Sequence, residues 1–487
     1  MDTKDLTGGF PLKPLTGTRT KPAKEFMVCD IESRDWTRFL VLGHYDGHEF
    51  KYFKRLVKYI AYLFSLKKNV QVWAHFGGKF DFLFLLQEAF SIPQLKVLNM
   101  IPRGSGILCF DLTDGVYTIT FMDSSAILPF SLERICESFK VEHKKLKWDH
   151  EKTFKVTRKL VHYLKYDCIG LYEAIQKYRE WDLIKRAGPK TTMASQALQV
   201  LRLFLEKPIH SLNDEVDAFV RKSYFGGRTE VFKPLYQGKE PIRCYDVNSL
   251  YPTVMRSNEF PNRPRRFTDV YYPDEIGFYD AVVEVPPMYI PPLGTVQKVG
   301  LNDKYVFPTG VFQGRFSTIE LEYAKSQGIK VLKTGQGIIF SSSGYLFKNF
   351  IDTLYEMRLK AKETGDQVTD TLTKLLMNST YGRFGLNKDR KNLVVDDGRT
   401  GLEKYCEIKT PFGFISLATE DKRLDSSFSN VAVAAWTTSL SRIHMHKIYV
   451  RCADSVYYTD TDSLFTTARL PEGSALGVVK FGGLGSR

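Results

Sequence analysis

The stretch YDVNSLYP, residues 245–252, decides how this chain is read. Tyr245 and Val247 flank Asp246 in an apolar strand pattern, and Asn248-Ser249 signals a tight turn after it. An aspartate ending such a strand can hold a metal at the edge of a sheet. Five specified residues at this spacing have a chance expectation on the order of 10⁻⁴ in a chain of this length. Farther on, YYTDTDSLF, residues 457–465, sets Asp460 and Asp462 on either side of Thr461. Alternate residues of a strand share a face, and a hairpin tip would expose both carboxylates. Three converging carboxylates repel one another unless cations lie between them, and hard oxygen ligands suit Mg²⁺. Two such ions about 3.5–4 Å apart stabilise both the attacking and the leaving oxygen of an in-line phosphoryl transfer.

Between these two stretches lies KLLMNSTYGRFG, residues 374–385. On a helix Lys374, Asn378 and Tyr381 fall at i, i+4 and i+7, on one face. A cation, an amide and a ring in one stripe suit the phosphate, sugar and base of a nucleotide. A solvated face ending in a Tyr-Gly cap gives the same pattern. Residues 346–385 read as a helical hairpin turning near 363–366. Lys362 and, one turn earlier, Arg358 are placed on its first helix to reach a triphosphate.

A second set of acids precedes the first. CDIES, residues 29–33, puts Asp30 and Glu32 on one strand face. KFDFLF, residues 79–84, puts Asp81 at a strand–helix junction. HYLKYD, residues 162–167, puts Tyr163 and Asp167 one helical turn apart. Each pattern is common on protein surfaces. Together, four acids and a tyrosine can hold two metals and orient an attacking water.

The rest of the chain sets the frame. Its 487 residues suggest about three domains. With 43% hydrophobic and 25% charged residues, the composition is that of a globular protein and excludes overall disorder. The excess of 69 Lys+Arg over 55 Asp+Glu, a net charge of +14, favours a polyanionic partner, either nucleic acid or an anionic membrane surface. No apolar run approaches the ~18 residues of a membrane span, and the first residues lack a signal-peptide layout, so an intracellular, soluble chain is expected. The seven cysteines form no CxxC pair, which argues against a disulfide framework and a structural zinc site. Residues 1–25 read as a flexible leader. Strands alternate with helices from 26 to 187, residues 259–345 read as β-rich, and residues 387–428 as charged and turn-rich. Residues 431–450 read as a buried helix. The fold class expected is α/β and α+β, in several domains.

In this order, DVNSLYP, KLLMNSTYG and YTDTDS resemble motifs A, B and C of family B DNA polymerases. The Kx₃NSxYG form followed by DTD is similar to the protein-primed branch of bacteriophages and linear plasmids. The resemblance implies an RNase H-like exonuclease domain at 26–187, followed by a right-hand polymerase. Its palm would take 188–258 and 429–487, and its fingers 346–386. The insertions 259–345 and 387–428 stand where this branch carries terminal-protein regions 1 and 2. Asp246, Val247, Asp460 and Asp462 would hold two Mg²⁺, with Mn²⁺ as the alternative. Val247 and Tyr251 would meet the nucleotide, Tyr251 excluding a 2′-hydroxyl. Lys362 and Lys374 would contact the triphosphate, and Asn378 and Tyr381 would line the nascent base-pair pocket. Tyr224-Phe225-Gly226-Gly227 resembles the YxGG loop that contacts template.

CDIES, KFD and YLKYD likewise resemble motifs Exo I, II and III of the proofreading 3′–5′ exonuclease. By that resemblance Asp30, Glu32, Asp81 and Asp167 bind two metals with Tyr163 beside them. Ser33, Phe80, Ser124 and Phe130 hold the unpaired 3′ end, and a lysine from 144–147 supports the phosphate. Two departures stand out. His75-Phe76 replaces the family's usual His-Asn, which removes a polar contact and offers stacking instead. About twenty residues follow motif C, without a KxY motif, so the thumb is expected to be missing from this chain. The implied activity is DNA-directed DNA polymerisation with proofreading, serving protein-primed replication of a linear viral or plasmid DNA. The implied partners are primer–template DNA, dNTPs and a terminal priming protein, for a monomer away from membranes. The alternative is a truncated or split polymerase that keeps only exonuclease or DNA-binding activity, its thumb supplied by a separate chain.

Overall fold

The computed structural model describes residues 5–16, 25–103, 106–149, 155–236, 238–300, 302–395, 404–410, 413–423 and 428–484. The first half is built on one sheet. Its strands are β1 (Phe26–Arg34), β2 (Arg38–Tyr45), β3 (Phe50–Phe53), β4 (Val70–Ala74), β5 (Lys96–Arg103), β6 (Gly106–Thr113) and β7 (Thr118–Asp123), in the order β3-β2-β1-β4-β7-β6-β5. β1, β4 and β7 run parallel and the flanking pairs antiparallel. A parallel centre is buried on both faces, which is why β1 reads FMVC without alternation. Met27, Cys29 and Ile31 pack toward α1 (Leu56–Ser65) and α2 (Asp81–Phe90). Phe26 and Val28 face α3 (Leu132–Ser138) and α4 (Arg158–Glu180). Asp30 and Glu32 therefore share the α4 side of the sheet. Thr157 starts α4 by accepting the Leu160 N–H.

Three short helices, α5 (Asp182–Ala187), α6 (Met193–Leu201) and α7 (Asp214–Arg221), lead into the second half. There β8 (Thr229–Val231) and β9 (Arg243–Val247) join a sheet with three strands from the far end of the chain. These are β19 (Val456–Asp460), β20 (Ser463–Thr466) and β21 (Val479–Leu484), and the order is β21-β9-β20-β19-β8. α8 (Leu250–Ser257) leaves β9. α12 (Val431–Cys452) packs Met445, Ile448 and Tyr449 against Tyr245, Val247 and Leu464. It is buried on nearly every side, as a helix without an amphipathic stripe must be.

Residues 259–345 carry β10 (Pro261–Thr268), β11 (Gly277–Val285), β14 (Gly310–Ser317) and β15 (Lys330–Ser342) in the sheet β10-β15-β11-β14. The hairpin β12 (Thr295–Val299) and β13 (Asn302–Val306) and the helix α9 (Thr318–Ser326) complete this unit. α10 (Lys348–Thr364) and α11 (Gln367–Phe384) form the helical hairpin, turning at Gly365, whose φ of +69° suits glycine.

Two expectations need correction. Residues 387–428 hold a three-stranded sheet, β16 (Asp389–Val395), β17 (Lys404–Thr410) and β18 (Gly413–Arg423), in the order β16-β18-β17. The charges around the short apolar runs NLVV and FISLA hide these strands from a reading by composition. Nor is the leader free throughout. Leu6 and Leu12 are buried, Thr7 and Leu12 bridge Leu212 and Ile209, and Gly8 donates to the Ser211 carbonyl at 2.9 Å. Two leucines in a Gly/Pro-rich stretch suffice to dock residues 5–16; the remainder of 1–25, apart from Glu25, lies outside the described residues.

Candidate active sites

The first site forms where β1, α2 and α4 meet. β1 presents Asp30 and Glu32, and α4 presents Tyr163 and Asp167. Carboxylate oxygens of Asp30, Glu32 and Asp167 all lie within 4.8 Å of one another. Asp81 opens α2, is 3% exposed, and accepts the Ile31 N–H at 2.8 Å. Burial, followed by repulsion from Asp81, Asp167 and Glu32, pushes the Asp30 carboxyl well above the usual range. Burial raises Asp81 to about 7. Lys145 is the one lysine of 144–147 in this centre: its Nζ lies 2.5 Å from Asp167 and 2.7 Å from the Tyr163 hydroxyl. Four buried or half-buried acids against one ammonium leave negative charge uncompensated. An all-oxygen donor set of that kind fits divalent cations such as Mg²⁺.

A cavity of about 390 Å³ opens over these acids, and Ser33 and Phe80 line it. Ser124 and Phe130 stand behind its His75 wall. His75 Nδ1 is 2.9 Å from Ser124 Oγ, and Nε2 is 2.7 Å from the Phe130 carbonyl.

The second site sits at one edge of the five-stranded sheet. β9 carries Asp246 opposite Ser463 of β20 on one side and Lys480 of β21 on the other. Lys480 Nζ lies 3.0 Å from Asp246. Thr461, at φ +57°, turns the β19–β20 hairpin between Asp460 and Asp462. Asp460 accepts the Thr229 hydroxyl at 2.9 Å. Asp462 is half-buried; desolvation, then Asp246 and Asp460, raise its carboxyl above the usual range. The Val247 N–H donates to the Asp462 carbonyl at 2.8 Å, which ties motif A to the turn.

Ser249, at φ +51°, redirects the chain into α8, and the Tyr251 ring stacks on Tyr381 of α11 at 4.1 Å. Lys374 and Asn378 lie exposed on α11, and Lys362 lies exposed on α10. Arg358 does not reach outward: its Nε pairs with Asp370 at 2.8 Å and fastens the two helices together.

The family model for DNA polymerase type B, organellar and viral, matches residues 63–157 and 149–450. The chain belongs to this family. The DNA-directed DNA polymerase of Enterobacteria phage PRD1 is 28% identical over 439 residues, spanning 87% of this chain and 72% of that one. The DNA polymerase of Bacillus phage phi29 is 26% identical over 482 residues, covering 91% and 80%. A probable DNA polymerase of Neurospora intermedia is 26% identical over 469 residues; the chain spans 81% of itself but only 47% of that relative. The phi29 DNA polymerase solved with primer-template DNA and incoming nucleotide substrates superposes with a TM-score of 0.76 at 21% identity, over 94% of this chain and 84% of that one. The fold is thus a multidomain α/β polymerase fold. Among the described residues no helix is long and apolar enough to cross a membrane.

In this type B polymerase the Tyr224–Gly227 loop meets the motif C turn directly. A Cβ on Gly227 would fall 2.7–2.9 Å from Thr461 atoms, so only glycine lets the loop approach. The Thr461 N–H donates to the Arg228 carbonyl at 2.9 Å. Tyr224 packs under Gly385 at the end of motif B, and Gly226 is exposed. Arg442 of α12 holds the loop, donating to the carbonyls of Phe225 at 2.8 Å and Gly226 at 2.9 Å. Its Nη2 pairs with Glu320 of α9 at 2.7 Å, both groups buried. The sequence reading missed Arg442, Glu320, Thr229 and Lys480. Arg442 had a signal, a cation inside the otherwise uncharged run VAVAAWTTSLSR. Glu320 had the Ser317-x-x-Glu320 spacing of a capping box, and Thr229 and Lys480 had none, because their partners lie far away in the chain.

Proposed function

We propose that this chain is a DNA-directed DNA polymerase with a 3′–5′ exonuclease, working in protein-primed replication of a linear viral or plasmid DNA. The observation that carries the reading is the edge of the five-stranded sheet. Asp246, Asp460 and Asp462 gather there beside a stacked Tyr251–Tyr381 pair, at the foot of a helical hairpin bearing Lys362, Lys374 and Asn378. Asp246, Val247, Asp460 and Asp462 would hold divalent metal in one site, and Asp30, Glu32, Asp81 and Asp167 in the other, and the metal would activate the attacking oxygen and neutralise the leaving one. The lysines and Asn378 would bind and orient the dNTP, and Tyr251 would close the sugar side. The Tyr224–Gly227 loop would guide template toward the motif C turn. In the exonuclease, Tyr163 and Lys145 would orient the terminal phosphodiester against Asp167, while Ser33, Ser124, Phe80 and Phe130 bind the frayed strand. The insertions 259–345 and 387–428 would meet the priming protein and the duplex.

The test is a 5′-labelled primer–template with Mg²⁺, with and without dNTPs, using the parent, Asp460→Ala and Asp30→Ala. Extension by the parent that is lost in Asp460→Ala and kept in Asp30→Ala is expected. Without dNTPs the parent should shorten the primer and Asp30→Ala should not. A parent that neither extends nor shortens the primer, and transfers no dNMP to a protein hydroxyl, overturns the proposal.

A further inference from the structure

The mouth of the first site carries more aromatic surface than its acids need. The β1–β2 turn places two successive non-glycine residues in the left-handed region, Asp35 at φ +52° and Trp36 at φ +59°. Trp36 is nevertheless 67% exposed, so burial does not offset that strain. Its indole meets the Phe80 ring edge-on, with centroids 5.8 Å apart. Phe76, which lines the same cavity, repeats the pattern: φ is +55°, the residue is 41% exposed, and its ring leans on His75. A bulky residue at positive φ is an outlier, and two of them line one cavity of about 390 Å³ together with Asp30, Glu32, Asp81 and Asp167.

We propose that Trp36 and Phe76, together with Phe80, form an aromatic clamp that takes the unstacked bases of a single-stranded DNA 3′ end. This rests on the exonuclease reading above and adds how that site chooses its substrate. Rings accept any base, because every base has a π-face, so the clamp is indifferent to sequence. Bases paired in a duplex already have both faces covered, so the clamp favours a frayed end over a matched one. Trp36 and Phe76 would thereby do by stacking what the family's usual asparagine does by a polar contact.

The experiment measures binding by fluorescence anisotropy in EDTA, where no strand is cut. The probes are a 5′-fluorescein oligothymidylate and the same strand with its 3′-terminal nucleotide abasic. The proteins are the parent, Trp36→Ala, Phe76→Ala, Trp36→Phe and Phe76→Asn. The parent should bind the normal end about 5- to 150-fold more tightly than the abasic end, the range for one stacked base. Trp36→Ala and Phe76→Ala should lose most of that difference by weakening only the normal end, and Trp36→Phe should keep it. Because both rings are exposed, melting temperatures should stay near the parent's, which separates lost stacking from lost folding. Equal affinity of the parent for the two ends, or alanine variants that discriminate as the parent does, overturns the clamp. The exonuclease reading fails separately, if the parent leaves the labelled strand intact in Mg²⁺.

Discussion

Substituting Asp81→Asn should stabilise the metal-free protein above neutral pH, by an amount that shrinks to nothing as pH falls below 3.8. In the folded chain burial raises the Asp81 carboxyl from 3.8 to about 7, although the Ile31 N–H bonded to it pulls the other way. Between those two values the native state keeps a proton that the unfolded state has released. Stability therefore falls as pH rises through this window and levels off above about 7. A rise of that size corresponds to about 4 kcal/mol. Asparagine is isosteric and still accepts the Ile31 N–H, so the variant loses the titration and keeps the geometry. The assay is urea unfolding in EDTA at pH 5, 6.5 and 8. At pH 5 the variant should already be the more stable by about 1.6 kcal/mol, and at pH 8 by up to about 4 kcal/mol. Adding Mg²⁺ at pH 8 should stabilise the parent more than the variant, because a ligand that binds only the native state stabilises it by mass action. Parallel curves for the two proteins from pH 5 to 8 would refute the reasoning, since Asp81 would then be ionised at no cost.

Four further outcomes follow from the same contacts. Gly227→Ala forces a Cβ within 3 Å of Thr461, and overpacking of this kind costs about 1–3 kcal/mol. Primer extension should drop at least about fivefold at that cost while primer shortening persists; equal extension would show that the loop yields freely. Glu320→Ala leaves the Arg442 guanidinium buried without its anion and should lower unfolding free energy by about 3–5 kcal/mol, read from urea midpoints. Leu12→Ala should cost about 2 kcal/mol in the same measurement, and a change within error would mean that residues 5–16 are not docked. Lys480 is half-exposed, so its pair with Asp246 contributes at most about 1 kcal/mol. Lys480→Ala should lower the Mg²⁺ concentration for half-maximal extension by up to about fivefold, and a raised requirement would reverse the assignment.

Much of this architecture is legible in the sequence where one local rule decides. The period of two in CDIES fixes which face Asp30 and Glu32 share. The i, i+4 spacing does the same for Tyr163 and Asp167 on α4. The turn residues of DVNSLYP and DTD place Asp246, Asp460 and Asp462 at strand ends, and the helical hairpin follows from its own periodicity. What escapes is set by partners distant in the chain. Nothing near Arg358 says that Asp370 will take its guanidinium, which removes it from the surface that would meet a nucleotide. Choosing Lys145 from its neighbours requires knowing where α4 lies. The docked residues 5–16 depend on Leu6 and Leu12 meeting Ile209 and Leu212, about two hundred positions away. The strands of 387–428 are masked by charge, since composition averages over the alternation that makes a strand.

The two sets of acids meet one requirement by different construction, and the difference bears on the insertion between motifs A and B. In the first site the acids come from inside regular elements, so the sheet and α4 position them directly, and the cost appears as raised carboxyls on Asp30 and Asp81. In the second site Asp460 and Asp462 flank a two-strand turn, which by itself could tilt. Its position is supplied from outside the hairpin. Glu320 on α9 fixes Arg442, Arg442 fixes the carbonyls of Phe225 and Gly226, and the adjoining Gly227 seats Thr461 between the two acids. Glu320 is itself held, because Ser317 donates to it from both its N–H and its hydroxyl in a capping box. Each link is a buried charge pair, a backbone hydrogen bond or a close approach that only glycine allows, so slack at one end carries to the other. Residues 259–345 therefore do more than present a surface: through α9 they help set where the motif C carboxylates stand. Shortening or exchanging that insertion should perturb polymerisation even where its outer face touches nothing.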